Sequence, residues 1–331
     1  MEFIRKSWYP KVLSWIPLDL WHKLLEIDLV LPYYHIISDQ DIPHVSGLYK
    51  FRSISQFKAD MEFFLRFYTP VSLQDVISYL DGVRKLPKRC FLLTFDDGFR
   101  EIYDIVAPIL QSQGMPAVFF LITAAVDNHK LCSPQKKSLL IRAVALHGDS
   151  STMNEASRIL TNAGVEGQDL SSRIRGVTYR QRYVLDELEP VLGCDFAAYV
   201  SSMQPYLTSE QVTDLILKGF AIGAHSIDHP LYSELSVEEQ LIQTKGSLSI
   251  LSNRYRYECQ AFAFPYSDIG ITLDFYQSVF ADGRLKVTFG TGGMFPHFFP
   301  RNLARFTMER TDLAASHIVA RQYGRTFFIG H

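Results

Sequence analysis

Cysteine is scarce in this chain. Four residues in 331, Cys90, Cys132, Cys194 and Cys259, lie far apart with no CxxC pair. That excludes a zinc ribbon and a disulfide framework and reads as free thiols in a reducing compartment. A basic run is also missing. The 33 Lys and Arg residues against 35 Asp and Glu give a net charge of -2 and a pI near 6.6, so nucleic acid is not an expected partner. No stretch of 18 uncharged apolar residues is there to span a bilayer. The first 31 residues begin basic and turn apolar at residues 12–18. Asp19, His22, Lys23, Glu26 and Asp28 then break the run and no small-x-small cleavage site follows, which argues against a secretory signal. The aromatic residues Trp8, Tyr9, Trp15 and Trp21 among Arg5, Lys6, Lys11 and Lys23 leave two readings for residues 1–28. One is a helical segment packed on the body of the protein, and the other is peripheral contact with a membrane surface. The expected location is cytoplasmic, with membrane association if the second reading holds. Internal repeats and low-complexity tracts are absent.

What is present is apolar residue in quantity. With 47% hydrophobic and 13% aromatic content over 331 residues, the chain can fill one large α/β domain of barrel size. Residues 29–37, 90–95, 116–122, 220–224, 261–264 and 286–290 read as buried strands. Helical patterns alternate with them. Ser53-x-x-Gln56, Thr208-x-x-Gln211 and Ser236-x-x-Glu239 are capping boxes that open three helices, and residues 100–112 and 273–280 form two more. Strands alternating with helices imply parallel pairing. Residues 125–207 break this alternation, with helical patterns at 135–147, 154–163, 179–192 and 196–203 and no convincing strand. The interval reads as a helical insertion lying over the strand ends. Its Arg173, Arg175, Arg180 and Arg182 form either a solvated helix face or a contact for an anionic substrate group.

Two strand ends carry the chemistry. The run Cys90-Phe91-Leu92-Leu93 leads into Thr94-Phe95-Asp96-Asp97-Gly98. At a strand end the chain turns, so two adjacent carboxylates reach one cleft in different directions, one to hold a metal and one to take a proton. The alternative is a polar strand-to-helix turn with an aspartate N-cap. The run Phe220-Ala221-Ile222-Gly223-Ala224 leads into His225-Ser226-Ile227-Asp228-His229. Two histidines four residues apart past a strand end suit one divalent ion, against the alternative of packed or capping residues.

These blocks resemble the NodB-type polysaccharide deacetylases, carbohydrate esterase family four. Thr94-Phe95-Asp96-Asp97-Gly98 matches the first motif of that family and His225-Ser226-Ile227-Asp228-His229 the second, while Phe262-Ala263-Phe264-Pro265-Tyr266 resembles the third. The resemblance extends over roughly residues 29–300. It implies an α/β fold of the distorted parallel (β/α) barrel type, built from residues 29–124 and 208–331 around the 125–207 insertion. It also implies Asp97, His225 and His229 as ligands of a metal, usually Zn2+, with Asp96 as general base. The Pro265–Tyr266 turn would supply the oxyanion contact through the Tyr266 N–H.

Two features depart from the family pattern. A Leu-x-x-His-like block near the C-terminus is not evident, and no arginine precedes Pro265. Some relatives, the biofilm poly-N-acetylglucosamine deacetylases, are circularly permuted, and Leu31-Pro32-Tyr33-Tyr34-His35 resembles their N-terminal strand. His35 is therefore the candidate general acid, with His297 a competitor, and Arg305 the candidate for the missing arginine. The expected activity is metal-dependent hydrolysis of the N-acetyl group of an N-acetylhexosamine unit, in a glycan or in a lipid- or nucleotide-linked sugar. A metal-dependent amidase or O-acetyl esterase on a smaller substrate, and a non-catalytic glycan-binding relative, are the rival readings. The intact Asp-Asp and His-His pairs count against the last.

Overall fold

Short apolar runs bounded by turns become strands too brief to stand alone. The computed structural model describes residues 17–146 and 149–329, and in chain order its strands are β1 (Leu29–Val30), β2 (Pro32–Tyr34), β3 (Thr69–Pro70), β4 (Cys90–Phe91), β5 (Leu93–Phe95), β6 (Ala117–Leu121), β7 (Ala221–Ala224), β8 (Ala261–Ala263), β9 (Val287–Gly290), β10 (Asn302–Ala304) and β11 (Phe306–Thr307). The single strand expected over 29–37 is two, broken at Leu31. β1, β4 and β3 form a small parallel sheet, and the other eight run in the order β10-β9-β8-β7-β6-β5-β2-β11. Every pairing in that second sheet is parallel.

The two edge strands of this sheet are one stretch of chain, separated only by Arg305. The Arg305 N–H donates to the Gly290 carbonyl at 3.1 Å, while the next residue, Phe306, donates to the Leu31 carbonyl at 3.1 Å. Residues 302–307 thus leave one edge and join the other, which gives a nearly closed barrel and removes the exposed edges of an open sheet. Neither β10 nor β11 was legible in the sequence.

Side-chain alternation sorts the strand residues into two layers. Ala117, Phe119 and Leu121 of β6 and Phe262 of β8 pack with helix residues such as Phe57, Phe64, Leu110 and Leu248. Val118, Phe120, Ala261, Ala263, Val287 and Phe289 pack with one another inside the barrel. Large rings need small neighbours there. A Cβ at Gly223 of β7 would lie 2.3 Å from the Phe120 ring, so only glycine fits opposite it.

The three capping boxes form as expected, on helices Ile54–Phe67, Ser209–Leu217 and Val237–Tyr255. The helix expected over 100–112 begins as a π turn, Ile102–Val106, and continues as Ala107–Ser112. Between β6 and β7 the described residues fold into helices Ser133–Leu146, Ser150–Asn162, Leu170–Gly176, Val184–Val191 and Phe196–Met203, which share a second apolar core. At the start of the described chain, Trp21 of helix Leu18–Leu24 is buried and meets Phe327 at 5.9 Å. Trp8, Tyr9 and Trp15 lie outside the described residues. Among the described residues no helix is long and apolar enough to cross a membrane.

Candidate metal centre and acid–base pairs

Parallel strands deliver their carboxyl ends to one rim of a barrel, so the residues that follow β2, β5, β7, β8 and β10 are neighbours in space. The rim holds Asp97, His225 and His229, all buried, with one ligand atom from each lying within 4.8 Å of the others. Asp97 Oδ1 is 3.4 Å from His225 Nε2 and 3.3 Å from His229 Nε2. The His225 Nδ1–H donates to the Ala263 carbonyl at 2.8 Å. A carbonyl only accepts, so that bond sets the tautomer and leaves the Nε2 lone pair facing a carboxylate oxygen. Asp97 Oδ1 is itself buried without a hydrogen bond. A lone pair and a carboxylate oxygen buried face to face repel unless a cation lies between them. Two imidazoles and one carboxylate are an ordinary zinc donor set that leaves a position open. Burial, together with the charges of His225 and His35, holds the His229 imidazolium below its ordinary pKa against the pull of Asp97, which keeps this ring in its metal-binding neutral form. The residues present fit a divalent metal.

Strain concentrates here. Of nine non-glycine residues with positive φ among those described, four are Asp97 (72°), Ser226 (66°), His229 (65°) and Tyr266 (58°). Backbone of this kind persists only where surrounding structure enforces it, and it clusters at functional sites. At 225–229 the enforcement is visible: Thr123 and Ala124 donate to the carbonyls of Ser226 and Ile227, and the His229 N–H donates to Ser226 Oγ at 2.9 Å. Asp228, between the two histidines, points elsewhere and accepts from the Tyr179 hydroxyl and from Gln243.

Two charged pairs, one buried and one half-buried, flank this cluster. Arg305, fully buried, donates through both terminal nitrogens to Asp96, at 2.7 and 2.8 Å. Its guanidinium also stands over the rings of Tyr33, Phe120 and Phe289, so it plugs the barrel interior beneath the rim. Burial alone would raise the Asp96 carboxyl, but the Arg305 guanidinium, with His225, holds it below its ordinary value. The second pair is His35 and Glu309. β2 and β5 are in register at Tyr34 and Phe95, which sets His35 beside Asp96. Glu309 accepts from the His35 N–H and from His35 Nδ1, both at 2.7 Å. Burial works against the imidazolium, yet Glu309, with Asp97 and Asp96 behind it, raises the His35 pKa to about 10.

The third strand end contributes Pro265, buried, and Tyr266, whose ring meets the edge of His229 at 4.6 Å. The Tyr266 N–H has no acceptor among the described residues. Between His229 and Tyr266 on the barrel side and Ser133, Lys137, Val177 and Tyr179 on the helical side lies a cavity of about 220 Å³.

A profile for polysaccharide deacetylases matches residues 83–278, more than half of the chain and both strand ends that carry the cluster. The chain belongs to the polysaccharide deacetylase family. Among curated relatives, the poly-beta-1,6-N-acetyl-D-glucosamine N-deacetylase of Escherichia coli K12 is 40% identical over 61 residues, 18% of this chain and 9% of that protein. The putative polysaccharide deacetylase YxkH of Bacillus subtilis is 28% identical over 80 residues, 24% of this chain and 29% of that protein. The matches therefore span less than a third of either relative. Solved structures share the fold over nearly the whole chain. The Streptococcus pyogenes deacetylase PplD, solved in complex with acetate, superposes with a TM-score of 0.58 at 15% identity, covering 89% of this chain and 98% of its own. IcaB from Ammonifex degensii gives 0.54 at 15% identity, with 89% and 97% covered.

Of the residues singled out in the sequence, the structure gathers Asp96, Asp97, His225, His229, His35, Pro265 and Tyr266 at one rim, with Arg305 beneath it bound to Asp96. It does not bring His297 there. That ring accepts from the Phe299 N–H through Nδ1, meets Tyr276 edge-on and Phe298 at a tilt, and lies 3.9 Å from Asp268. Glu309 was not anticipated. It follows a strand of two residues and its partner lies 274 positions away, so no local pattern marks it.

Proposed function

We propose that this polysaccharide deacetylase is a zinc-dependent N-deacetylase that hydrolyses the acetamido group of an N-acetylhexosamine unit. The observation that carries the reading is the pairing of two oppositely tuned groups beside one metal-ligand set: a carboxylate locked anionic by arginine and an imidazolium locked protonated by glutamate. Pairs whose environments push their pKa values apart are the mark of an acid and a base. Asp97, His225 and His229 would hold the ion, which when bound supplies Lewis acidity toward an amide carbonyl and toward water.

The remaining work falls to the protein. Asp96, unprotonated across neutral pH and oriented by the two Arg305 bonds, accepts the proton of the attacking water. The Tyr266 N–H donates to the oxygen that gains charge as the carbonyl carbon becomes tetrahedral. His35 gives its proton to the departing nitrogen, which an amide needs because an unprotonated amine is a poor leaving group. Glu309 holds the ring in place and keeps the proton on it. The cavity between Tyr266 and the helical segment would take the sugar ring. The strand that leads into His35 pairs with the strand that closes the barrel, an order that supports the circularly permuted arrangement of some members of the family.

The reading is tested by metal content and acetate release together. The purified protein should carry about one equivalent of zinc and release acetate from an N-acetylglucosamine oligomer. His225→Ala should lose both. Equal metal in the two proteins would remove the ligand assignment, and full activity after chelation would remove the metal requirement.

A further inference from the structure

A larger cavity, of about 500 Å³, opens beside the one that meets His229 and Tyr266, and Ser133 lines both. Its charged lining is Lys130, Lys136, Arg180 and Arg182 against Asp186 and Asp228, a local cationic excess in a chain whose net charge is -2. Only one of the two acids is neutralised by a cation of this wall. Asp186 is paired with Lys136. Asp228 accepts from Tyr179 and Gln243. Arg180 is bound to Glu239 at 2.6 Å. That leaves two cations with no carboxylate bound to them, against the single charge of Asp228. Lys130 is exposed and makes no ion pair among the described residues. Arg182 lies over the Tyr179 ring at 4.0 Å and donates to the Tyr179 carbonyl at 2.8 Å. Tyr179 in turn binds Asp228, the neighbour in sequence of His229, so the cationic wall is joined to the metal-ligand turn by one side chain.

We propose that this cavity receives a phosphoryl group carried by the N-acetylated sugar, so that the substrate is a phosphate-linked N-acetylhexosamine rather than a neutral glycan; the inference rests on the deacetylase reading above. A sugar with its acetamido group at His229 and Tyr266 presents its neighbouring substituents to the adjoining space. An uncharged hydroxyl has no use for two unpaired cations there. A phosphoryl group brings up to two negative charges and several acceptor oxygens, which match a guanidinium fork and an ammonium at once, whereas a sugar carboxylate brings a single charge. Both cations are exposed, so the attraction is screened by salt.

The zinc-loaded protein is assayed for acetate release from methyl N-acetylglucosaminide, N-acetylglucosamine 1-phosphate, UDP-N-acetylglucosamine and a lipid-diphosphate-linked N-acetylglucosamine. These arms separate a bare phosphate, a nucleotide and a lipid as the carrier. At least one phosphorylated sugar should have a kcat/KM roughly tenfold or more above that of the neutral glycoside at low salt, and the gain should shrink as salt rises. Lys130→Gln with Arg182→Gln, both at the surface and compatible with folding, should lose that gain and leave the neutral glycoside unchanged. Calorimetric titration with N-acetylglucosamine 1-phosphate reads the cavity without turnover: the native protein should bind it and the double variant should bind it about tenfold more weakly. If binding follows this pattern but no sugar releases acetate, the phosphate site stands and the deacetylase reading falls. Equal kcat/KM for neutral and phosphorylated sugars, or equally tight binding by the double variant, would overturn the proposal.

Discussion

At the scale of single residues, the site is a matter of which proton sits where. Asp96 is held anionic by Arg305, and as the proposed base it needs only its charge and position. Asp96→Asn keeps the shape and removes the basicity, so turnover should fall by about 10²-fold or more while zinc content and folding are unchanged. Near-native turnover in that variant would assign the base to another group. His35 poses the converse case. With its pKa raised to about 10 by Glu309 against the opposing effect of burial, the ring is protonated throughout neutral pH and loses its proton only as pH rises toward 10. Activity limited by this acid should therefore hold through neutral pH and decline on the alkaline side. Glu309→Gln removes the carboxylate charge and lets burial act, which lowers the His35 pKa and brings the alkaline decline down into the neutral range. A profile of kcat against pH for the two proteins checks this. An unmoved alkaline limb would separate Glu309 from the acid.

At the scale of elements, the stretch 302–307 does two jobs with six residues. Its halves close the barrel, and the residue at the junction, Arg305, fills the interior and binds Asp96. A single strand paired to one neighbour would leave that junction with no reason to face inward. Because the chain changes partner at Arg305, this side chain enters the barrel between Phe120, Phe289 and Tyr33 and meets the carboxylate from below. Removing it leaves a buried, unpaired charge, which costs about 3–5 kcal/mol. Arg305→Ala should lower unfolding free energy in urea by that order, and Asp96→Asn in the same background should recover part of it. Additive losses in the double variant would show that the two residues are not coupled.

At the scale of the whole molecule, the barrel and the helical segment meet through buried polar contacts that set the response to acid. His44, on the short helix Pro43–Ser46, pairs with the hydroxyl of Tyr199 from helix Phe196–Met203 at 2.9 Å. Burial, aided by Arg100 and opposed by Asp97, lowers its pKa from 6.5 to about 3. Between those two values the unfolded chain takes up a proton that the folded chain refuses, so the unfolded state binds more protons and stability falls as pH drops from 6.5 toward 3. Unfolding free energies measured at pH 7 and pH 4 should show this loss, and His44→Gln should flatten it. An identical pH slope in the variant would place the acid sensitivity elsewhere.

The division between what the chain determines locally and what folding decides follows from the range of the forces involved. Ser53 with Gln56, Thr208 with Gln211 and Ser236 with Glu239 each close a capping box four residues long, so any reader of the sequence finds those helix starts. Apolar runs long enough to be buried on both faces, such as Ala117–Leu121, announce themselves in the same way. The motifs at Asp96-Asp97 and His225–His229 are equally local, because one turn after one strand brings each set together. The rest depended on closure of the barrel. Arg305 reaches Asp96 across 209 positions and Glu309 reaches His35 across 274, each from a strand of two or three residues with too little length for a periodic pattern. Their geometry exists only once parallel strands have aligned their ends at one rim, since the alignment comes from hydrogen bonds between distant segments rather than from any neighbour in the chain. Sequence thus determined the Asp-Asp and His-His motifs and the strand-helix order, and the resemblance offered Arg305 as a candidate, while the tertiary structure decided that Arg305 would bind Asp96 and Glu309 would bind His35.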